Sequence, residues 1–282
     1  MKMNIENAMN QAMLILKKKN IRNPRLDTEI LMSSAIKKDR KFVILNSGEE
    51  IKKIFFDSFK HLINQRAKGK PIAYLIKKKS FWKDEFELNN DVLIPRPDTE
   101  IIIEESLKLI KNKSSLTILD IGVGSGCILL SLLRENKNFY GVGIDLSKKC
   151  IDLCKKNSLK FDLNKKVKFF KSDVDNFYYG KYDLIVSNPP YIKRNNLKYL
   201  EKDVRDFEPK IALDGGLDGL SEIRKVINKS SELIKKSGKL ILEIGFDQKK
   251  DVKKILIDKG FYINKTIRDY SGNDRCIIGT KL

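Results

Sequence analysis

The sequence predicts an α/β protein in which a small N-terminal helical domain precedes a doubly wound, mostly parallel sheet of seven strands. Two observations carry this prediction. Up to residue 70, apolar residues recur every three or four positions, as they do on the buried faces of helices. Beyond residue 96, short apolar runs alternate with helical patterns, which is the order of a parallel sheet covered by helices on both faces. A chain of 282 residues is long enough for both parts.

The N-terminal domain, residues 1–70, is predicted to be a bundle built from three helical faces. Its apolar positions are Ile5, Met9, Ala12, Met13 and Leu16, then Leu26, Ile30, Leu31 and Ala35, and finally Ile51, Ile54, Phe55, Phe59, Leu62 and Ile63. Asp27 is expected to cap the second helix. From residue 71 to residue 95 the period changes to that of strands, which predicts a β-hairpin linker.

The remaining residues, 96–282, form the predicted sheet domain. Its strands are expected at residues 116–121, 139–144, 167–171, 182–187, 239–244, 261–267 and 275–281. Its helices are expected at residues 98–111, 125–135, 147–160, 220–236 and 248–259. Strands that alternate with helices of this length pair in parallel, because each helix returns the chain to the same end of the sheet.

Composition narrows the class of protein. The chain is 41% hydrophobic and 33% charged, as globular proteins usually are, and no apolar run approaches the ~18 residues of a membrane span. Residues 1–6 lack the apolar core of a secretory leader, so we expect a cytoplasmic protein with no membrane partner. Four cysteines without a Cys-x-x-Cys pair, together with a single histidine, offer too few ligands for a metal site.

The net charge of +20 has two interpretations. A basic protein attracts phosphates, which favours a nucleic acid or an RNA-rich partner. The lysines are nevertheless scattered among many Ile and Asn residues, as expected from a compositional drift of the whole genome. Scattered charge affects solubility and steering without defining a site, so we weigh the two interpretations equally and expect no stable nucleic-acid partner.

A glycine-rich turn follows the first strand of the predicted sheet. The sequence Asp120-Ile-Gly122-Val-Gly124-Ser-Gly126 leads from an apolar strand into an apolar helix, and its glycines allow a tight turn and the close approach of a ligand. Asp145, at the end of the next strand, is suited to accept hydrogen bonds from both ribose hydroxyls of a nucleotide-like cofactor. Helix–strand packing is the alternative explanation of the glycines, but it does not explain the spacing to Asp145.

The spacing of the glycines also favours one cofactor over another. Dinucleotides are held by Gly-x-Gly-x-x-Gly, which places a pyrophosphate at a helix N-terminus, whereas this turn is Gly-x-Gly-x-Gly. Asp120 suits the ammonium of an amino acid better than a phosphate, and S-adenosylmethionine carries that ammonium and no phosphate. Segment 172–175 is the candidate adenine contact, with Asp173 accepting from the adenine amine and Val174 packing on the ring; a polar loop is the alternative.

The segment Asn188-Pro189-Pro190-Tyr191 follows another apolar strand. Two prolines at a strand end form a rigid turn that directs the Asn188 amide and neighbouring carbonyls outward. The Asn188 side-chain oxygen and the Pro189 carbonyl can accept two N–H bonds and so aim the lone pair of a planar nitrogen at a methyl group, while Tyr191 stacks on the substrate. Together with the glycine turn, this predicts a Rossmann-like methyltransferase sheet; a rigid loop with a capping Asn is the alternative.

Beyond these two motifs, the chain resembles the release-factor glutamine N(5)-methyltransferases over nearly its whole length. The matching segments are residues 71–75, 93–100, 122–126, 188–191, 203–209, 213–220, 242–245 and 268–270. Asn-Pro-Pro-Tyr is shared with adenine-amine DNA methyltransferases, so the segment Ile-Pro-Arg-Pro-Asp-Thr-Glu at residues 94–100 is the more specific one. A similar group that methylates a ribosomal-protein glutamine typically lacks the Pro-Asp-Thr-Glu continuation.

The resemblance implies methyl transfer from S-adenosyl-L-methionine, with S-adenosyl-L-homocysteine as product, to the Gln of the Gly-Gly-Gln loop in class 1 peptide-chain release factors. It implies that the helical domain docks the release factor. It also implies catalytic roles for Asn188, Pro189 and Tyr191, cofactor contacts by Gly122, Val123, Gly124, Ser125, Gly126, Asp145, Val174 and Asn188, and substrate contacts by Asn188, Pro189, Pro190 and Tyr191. The chain departs from the family at Val174-Asp175, where an aromatic residue or leucine commonly follows the aspartate.

Three alternatives remain: an adenine-amine methyltransferase of nucleic acids, a methyltransferase of a ribosomal-protein glutamine, and a binding module without catalysis. The net charge of +20 suits the first. Against it, no large insertion follows Asn-Pro-Pro-Tyr to read and flip a base. The two intact motifs disfavour the binding module.

Overall fold

The computed structural model describes residues 3–282, so Met1 and Lys2, which open the predicted helical domain and the segment compared with a leader, lie outside the described part. The described chain divides into two compact units. One consists of residues 3–78 with residues 201–207, and the other of residues 79–200 with residues 208–282.

The N-terminal unit is helical, as predicted. Its helices are α1 (Ile5–Lys18), α2 (Pro24–Ile36), α3 (Arg40–Leu45), α4 (Lys53–Ala67) and α5 (Ile72–Ile76), and the later segment adds α9 (Lys202–Phe207). The three predicted apolar faces are confirmed in their main positions, because Leu16, Leu31 and Phe59 are fully buried in one core. Leu26 and Ile54 were wrongly assigned to these faces, since both are exposed. The short helix α3 was not predicted, since Val43 is its only buried residue and leaves no periodic pattern.

The expectation that Asp27 caps the second helix is wrong. Helix α2 already begins at Pro24, whose fixed φ suits the first turn of a helix. Asp27 instead lies inside the helix, where its buried carboxylate accepts a hydrogen bond from Arg66 Nε at 2.6 Å. The sequence predicts a capping role because aspartate often caps helices, whereas the actual hydrogen-bond partner, Arg66, lies 39 positions away.

The strand-like pattern after residue 71 also begins too early. Residues Ile72–Ile76 form the helix α5, which follows Pro71 and buries Leu75 in the helical core with Ile72 and Ile76 packed beside it. Spacings of three and four residues turn these side chains to one side of a helix. The hairpin is therefore confined to β1 (Lys78–Phe81) and β2 (Asp84–Glu87).

The second unit is the doubly wound sheet, and all seven predicted strands are confirmed. They are β3 (Leu116–Ile121), β4 (Phe139–Asp145), β5 (Val167–Lys171), β6 (Tyr182–Ser187), β7 (Ile234–Glu243), β8 (Phe261–Arg268) and β9 (Asp274–Lys281). The helices between them are α6 (Glu100–Ile110), α7 (Cys127–Glu135), α8 (Lys148–Lys160), α10 (Ser221–Leu233) and α11 (Lys249–Asp258). The order is β5-β4-β3-β6-β7-β9-β8, with β9 antiparallel to both neighbours and the first five strands parallel.

The largest boundary difference is the start of β7. Helix α10 was expected to continue to residue 236, but β7 already begins at Ile234 because that residue pairs with Tyr182 of β6. A pairing partner that is 52 residues away outweighs the local helical pattern.

The topology of the sheet predicts a ligand-binding crevice at the carboxyl ends of the neighbouring strands β3 and β6. The chain runs outward from β3 through β4 to β5 and then returns to β6 on the other side of β3, so the strand order reverses there. In open parallel sheets, ligands bind outside the carboxyl ends of the strands at such a reversal. The glycine turn leaves the end of β3 and the Asn-Pro-Pro-Tyr segment leaves the end of β6, so both belong to this crevice.

Three further properties bear on function. Within residues 3–282, no helix is both long and apolar enough to cross a membrane. The same residues contain no group of three His, Cys, Asp or Glu side chains that could hold a metal ion. All four cysteines are buried free thiols, and burial raises the pKa of each of them, so they are poor nucleophiles.

Candidate active site

Two predicted motifs meet at the ends of β3 and β6. Ile121, the last residue of β3, lies opposite Ser187, the last residue of β6, and the Ser187 hydroxyl donates to the Ile121 carbonyl at 2.7 Å. Gly122 and Asn188 are the next residues on each strand. The register of the sheet therefore brings the glycine turn and the Asn-Pro-Pro-Tyr segment side by side, although they are 66 residues apart.

The glycine turn depends on backbone conformations that favour glycine. Gly122, Gly124 and Gly126 have φ of 76°, 55° and 83°, in the left-handed region. A Cβ at Gly122 would meet no atom of the described residues within 4 Å, so the turn is open there. At Gly126 a Cβ would lie 3.0 Å from Leu130 of α7, so this glycine serves helix packing. The turn thus presents open backbone at its start and packs closely at its end.

The side chains between the glycines point into the protein. Val123 belongs to the hydrophobic core of the sheet unit, and Ser125 is buried with no hydrogen bond to its hydroxyl among residues 3–282. Contacts of either residue with a cofactor would therefore come from its backbone. Their role as cofactor residues stays a prediction.

A glycine beneath this turn gives a test of its packing. In Gly143→Ala, the new Cβ would lie 2.9 Å from Val123 Cγ2 and 2.9 Å from Phe169 Cδ1. We expect overpacking to cost about 1–3 kcal/mol, which lowers Tm by about 3–10 °C, and displacement of Val123 to reduce the stabilisation by cofactor.

Thermal unfolding with and without S-adenosylmethionine measures both effects of Gly143→Ala. Gly48→Ala is the matched control, because a Cβ there meets no atom of residues 3–282 within 4 Å and the residue has no positive φ. A Gly143→Ala protein that is as stable as Gly48→Ala would contradict this packing explanation.

Asp145 lies at the end of β4, next to the glycine turn. Its Oδ2 accepts from Gly124 N at 3.0 Å and its Oδ1 accepts from Ser147 N at 2.8 Å. Burial raises the pKa of this carboxyl. Each oxygen retains a lone pair, so the side chain is fixed in place and can still accept from a pair of hydroxyls, as predicted for ribose.

The candidate adenine segment is tied to the same strand end. Ser172 N donates to the Asp145 carbonyl at 3.0 Å, and Asp173 Oδ1 accepts from Asp175 N at 2.9 Å, which makes a tight turn. Val174 is half-buried and packs against the hydrophobic core of this unit. The adenine contact at Val174 stays a prediction.

Asp120 is the most unusual residue of the site. It is fully buried near the end of β3, and neither of its carboxylate oxygens has a hydrogen-bond partner in the described chain. Burial, with the nearby negative charge of Asp145, raises the pKa of Asp120 to about 8, although the nearby backbone N–H of Leu129 opposes this increase. A buried carboxylate without partners is costly, and an ammonium would satisfy it. The residue therefore fits the ammonium group of S-adenosylmethionine.

Asn188 is held by a hydrogen bond on one side only. Its Nδ2 donates to Thr99 Oγ1 at 3.1 Å, whereas no donor among residues 3–282 reaches its Oδ1. The Pro189 carbonyl oxygen likewise lacks a donor in the described chain. Two carbonyl-type acceptors on adjacent residues thus remain available, and their role in holding a planar N–H₂ group stays a prediction.

Tyr191 is anchored rather than free. Its hydroxyl donates to Glu243 Oε1 at 3.3 Å and accepts from Arg275 Nη1 at 3.2 Å, and the Arg275 guanidinium lies 5.9 Å from the centre of the ring. Burial and the negative charge of Glu243 raise the pKa of Tyr191, so the phenol stays neutral. Pro189 is buried and Pro190 half-buried, so these two prolines and the anchored tyrosine make a stiff segment. Stacking of Tyr191 on a substrate stays a prediction.

Several functional candidates escaped sequence reasoning. Thr99 and Glu243 join Asn188 and Tyr191 through hydrogen bonds, and Glu208 holds Ile94 N at 3.3 Å and pairs with Arg96. All of them lie in segments that carry the family resemblance. Nothing local in the sequence shows what they touch, because their partners are between 52 and 144 residues away.

Comparison with known proteins reproduces this organisation. Residues 7–76 match the family described as PrmC N-terminal domain, and residues 100–203 match the methyltransferase small domain family. A solved methyltransferase structure from Pyrococcus furiosus has a TM-score of 0.53 and 20% identity, covering 79% of this chain and 97% of the other, which supports the fold.

Curated relatives match over the whole length. The release factor glutamine methyltransferase of Buchnera aphidicola subsp. Acyrthosiphon pisum is 38% identical and covers 95% of each chain. That of Clostridium acetobutylicum is 36% identical and covers 99% of each chain. Such identity across both units shows that this protein belongs to the family of release factor glutamine methyltransferases.

Proposed function

We propose that the protein transfers a methyl group from S-adenosylmethionine to the side-chain amide nitrogen of a glutamine in a release factor. In class 1 peptide-chain release factors this is the Gln of the Gly-Gly-Gln loop. The observation that supports this best is the pair of acceptors, Asn188 Oδ1 and the Pro189 carbonyl, next to an open glycine turn. A primary amide has two N–H groups to offer such a pair.

The chain offers a group for each part of the cofactor. The backbone of residues 122–126 would approach it most closely, Asp120 would balance its ammonium, and Asp145 would accept from its ribose hydroxyls. Val174 would pack beside the adenine. When bound, S-adenosylmethionine supplies a methyl group on a positively charged sulfur, which a nitrogen nucleophile can take.

Asn188 and Pro189 would act on the nucleophile. An amide nitrogen is a weak nucleophile because its lone pair is delocalised into the carbonyl. Two acceptors that hold both N–H groups fix the orientation of the nitrogen, and this contributes to the rate through proximity. They also stabilise the positive charge that develops on nitrogen as the N–CH₃ bond forms. As this bond forms, the methyl–sulfur bond of the cofactor would break and leave neutral S-adenosylhomocysteine. One of the two held protons would then pass from the nitrogen to water, which leaves a neutral secondary amide.

The setting of the reaction is proposed to be the cytoplasm. The four cysteines of the chain are all free thiols, as is usual in a reducing compartment. Class 1 release factors are the proposed partners, and the helical unit would dock them.

Label transfer tests the function directly. The protein is incubated with S-adenosylmethionine that carries a radioactive methyl group and with a class 1 release factor, the same factor with Gln→Ala in the Gly-Gly-Gln loop, or DNA. We expect label on the intact release factor alone. Label that persists on the Gln→Ala factor would refute the proposed site of methylation, and label on DNA would favour an adenine amine as substrate.

A further inference from the structure

Thr99 connects the active-site segment to a buried carboxylate. Its hydroxyl donates to Glu243 Oε2 at 2.7 Å. The hydroxyl oxygen, Thr99 Oγ1, also accepts a hydrogen bond from Asn188 Nδ2 at 3.1 Å. Thr99 and Glu243 are both almost fully buried, at 3% and 2% exposure, so water does not compete for these bonds. A continuous hydrogen-bonded path thus runs from Glu243 at the end of β7 to the Asn188 amide at the end of β6.

The chemistry of the path gives it a direction. A threonine hydroxyl has one hydrogen, and here that hydrogen points to an acceptor, Glu243. The Thr99 oxygen can then only accept from Asn188, which requires the NH₂ end of the amide to face Thr99. The carbonyl end, Oδ1, must face the opposite way. That is the end that the proposed function needs as an acceptor.

Glu243 is arranged to stay an acceptor. Thr99 donates to Oε2 and Tyr191 donates to Oε1 at 3.3 Å, so both oxygens receive a hydrogen. Arg275 on β9 donates to the Tyr191 hydroxyl oxygen, which leaves the Tyr191 hydrogen to point to Glu243. Arg275 is itself paired with Asp269 at 3.0 Å. The arrangement suits an ionised carboxylate with donors on both sides.

We propose that Thr99 and Glu243 are positioning residues that select the orientation of the Asn188 amide, so that its oxygen rather than its nitrogen faces the substrate. This inference rests on the proposed function for its catalytic meaning, but the orientation itself is a property of the unliganded protein. It also explains why a threonine stands in the Pro-Asp-Thr-Glu segment.

Protonation of Glu243 allows the hydrogen bonds of this path to run in the opposite direction. A protonated Glu243 can donate to Thr99 Oγ1, and the Thr99 hydroxyl can then donate to Asn188 Oδ1. This bond requires the Asn188 amide to rotate by about 180°, so that its nitrogen faces the substrate. Burial raises the pKa of Glu243 to about 7, opposed by Thr99, Arg275 and Tyr191. We therefore expect the productive orientation above about pH 7 and its loss as the pH falls through this value. The other titratable groups around Glu243 are Asp98 before α6, Cys276 on β9 and Asp269 beside Arg275.

Methylation kinetics give the first readout. We expect Thr99→Val to lower kcat about 10- to 100-fold with little change in the KM for S-adenosylmethionine, and Thr99→Ser, which keeps the hydroxyl, to remain within about threefold of the parent protein. Glu243→Gln should lower kcat similarly and remove the decline of kcat toward acidic pH. Thr266→Val is the matched control, because it removes a buried hydroxyl that has no partner in the described chain.

The second readout needs no substrate. In protein labelled with ¹⁵N-asparagine, the side-chain NH₂ signal of Asn188 is the one that disappears in Asn188→Ala. We expect this signal to shift with a midpoint near pH 7 in the parent protein and in Thr266→Val, and to lose that titration in Thr99→Val and Glu243→Gln.

The outcomes separate the two proposals. A parent protein that fails to methylate release factors refutes the proposed function, whereas the titration of the Asn188 signal still decides the orientation. An Asn188 signal that lies at the same position in Thr99→Val as in the parent protein, or that titrates equally in Glu243→Gln, overturns the positioning role. So does a Thr99→Val enzyme with the kcat and the pH profile of Thr99→Ser.

Discussion

An Asn188→Ala variant is expected to lose about 10²- to 10³-fold in kcat for methylation of a release factor, while its affinity for S-adenosylmethionine stays within about threefold of the parent protein. The substitution removes one of the two acceptors that would orient the amide nitrogen and stabilise its developing charge. Because that charge appears only in the transition state, the loss should fall on kcat. Initial rates with labelled cofactor measure kcat, and calorimetry measures the affinity.

Asn112→Ala is the matched control for Asn188→Ala. Asn112 is exposed and follows the carboxyl end of α6, whereas Thr99 lies at the other end of that helix. The control should match the parent protein in kcat and in affinity. If Asn188→Ala abolishes cofactor binding, the residue acts mainly as a cofactor ligand. If kcat is unchanged, the catalytic role is wrong.

The sheet could be predicted from sequence because its patterns are local. Each parallel strand is a short apolar run, each helix carries its own periodic face, and the glycine turn marks the first crossover. Two of the errors arose where a distant partner decides the structure. Asp27 binds Arg66 instead of capping a helix, and Ile234 joins a strand because Tyr182 lies beside it.

The same distinction applies to the site. The glycine turn and Asn-Pro-Pro-Tyr are contiguous motifs, so their chemistry can be inferred without coordinates, and sheet register alone brings them together. The contacts of Thr99 and Glu243 cannot be inferred in that way, since each residue has an ordinary local environment in the sequence. Only the packing of α6 beside β7, with Thr99 directly before the helix, brings the threonine, the carboxylate and the amide within hydrogen-bonding distance.

Two buried carboxylates of the site illustrate how packing assigns roles. Burial raises the pKa of Glu243 to about 7 and that of Asp120 to about 8. Glu243 receives hydrogen bonds from Thr99 and Tyr191, so its charge is satisfied within the protein. Asp120 receives none from the described residues. Because the fold leaves the Asp120 carboxylate without a partner, this carboxylate is suited to bind a cationic ligand. Glu243 already has donors within the protein and does not need one.

Asp120→Asn is therefore expected to weaken the binding of S-adenosylmethionine about 100-fold or more at about pH 8, because an amide cannot balance the ammonium of the cofactor. In the ligand-free protein, by contrast, the substitution should increase the stability of the fold relative to the parent protein. The pKa of Asp120 is raised from 3.8 to about 8 by folding, so stability is lost as the pH rises between these values. Asparagine does not titrate, so the Tm of the variant relative to the parent should increase from about pH 5 to about pH 8.

Calorimetric titration with S-adenosylmethionine and thermal unfolding across this pH range measure the two effects. Asp258→Asn makes the same chemical change at an exposed position in α11 and should alter neither quantity. A ligand that ionises Asp120 also releases its proton, so binding by the parent protein near pH 7 should release protons, and binding by Asp120→Asn should not. Equal cofactor affinity in Asp120→Asn and Asp258→Asn would show that the ammonium is held elsewhere, because removing one partner of a buried charge pair cannot leave binding unchanged.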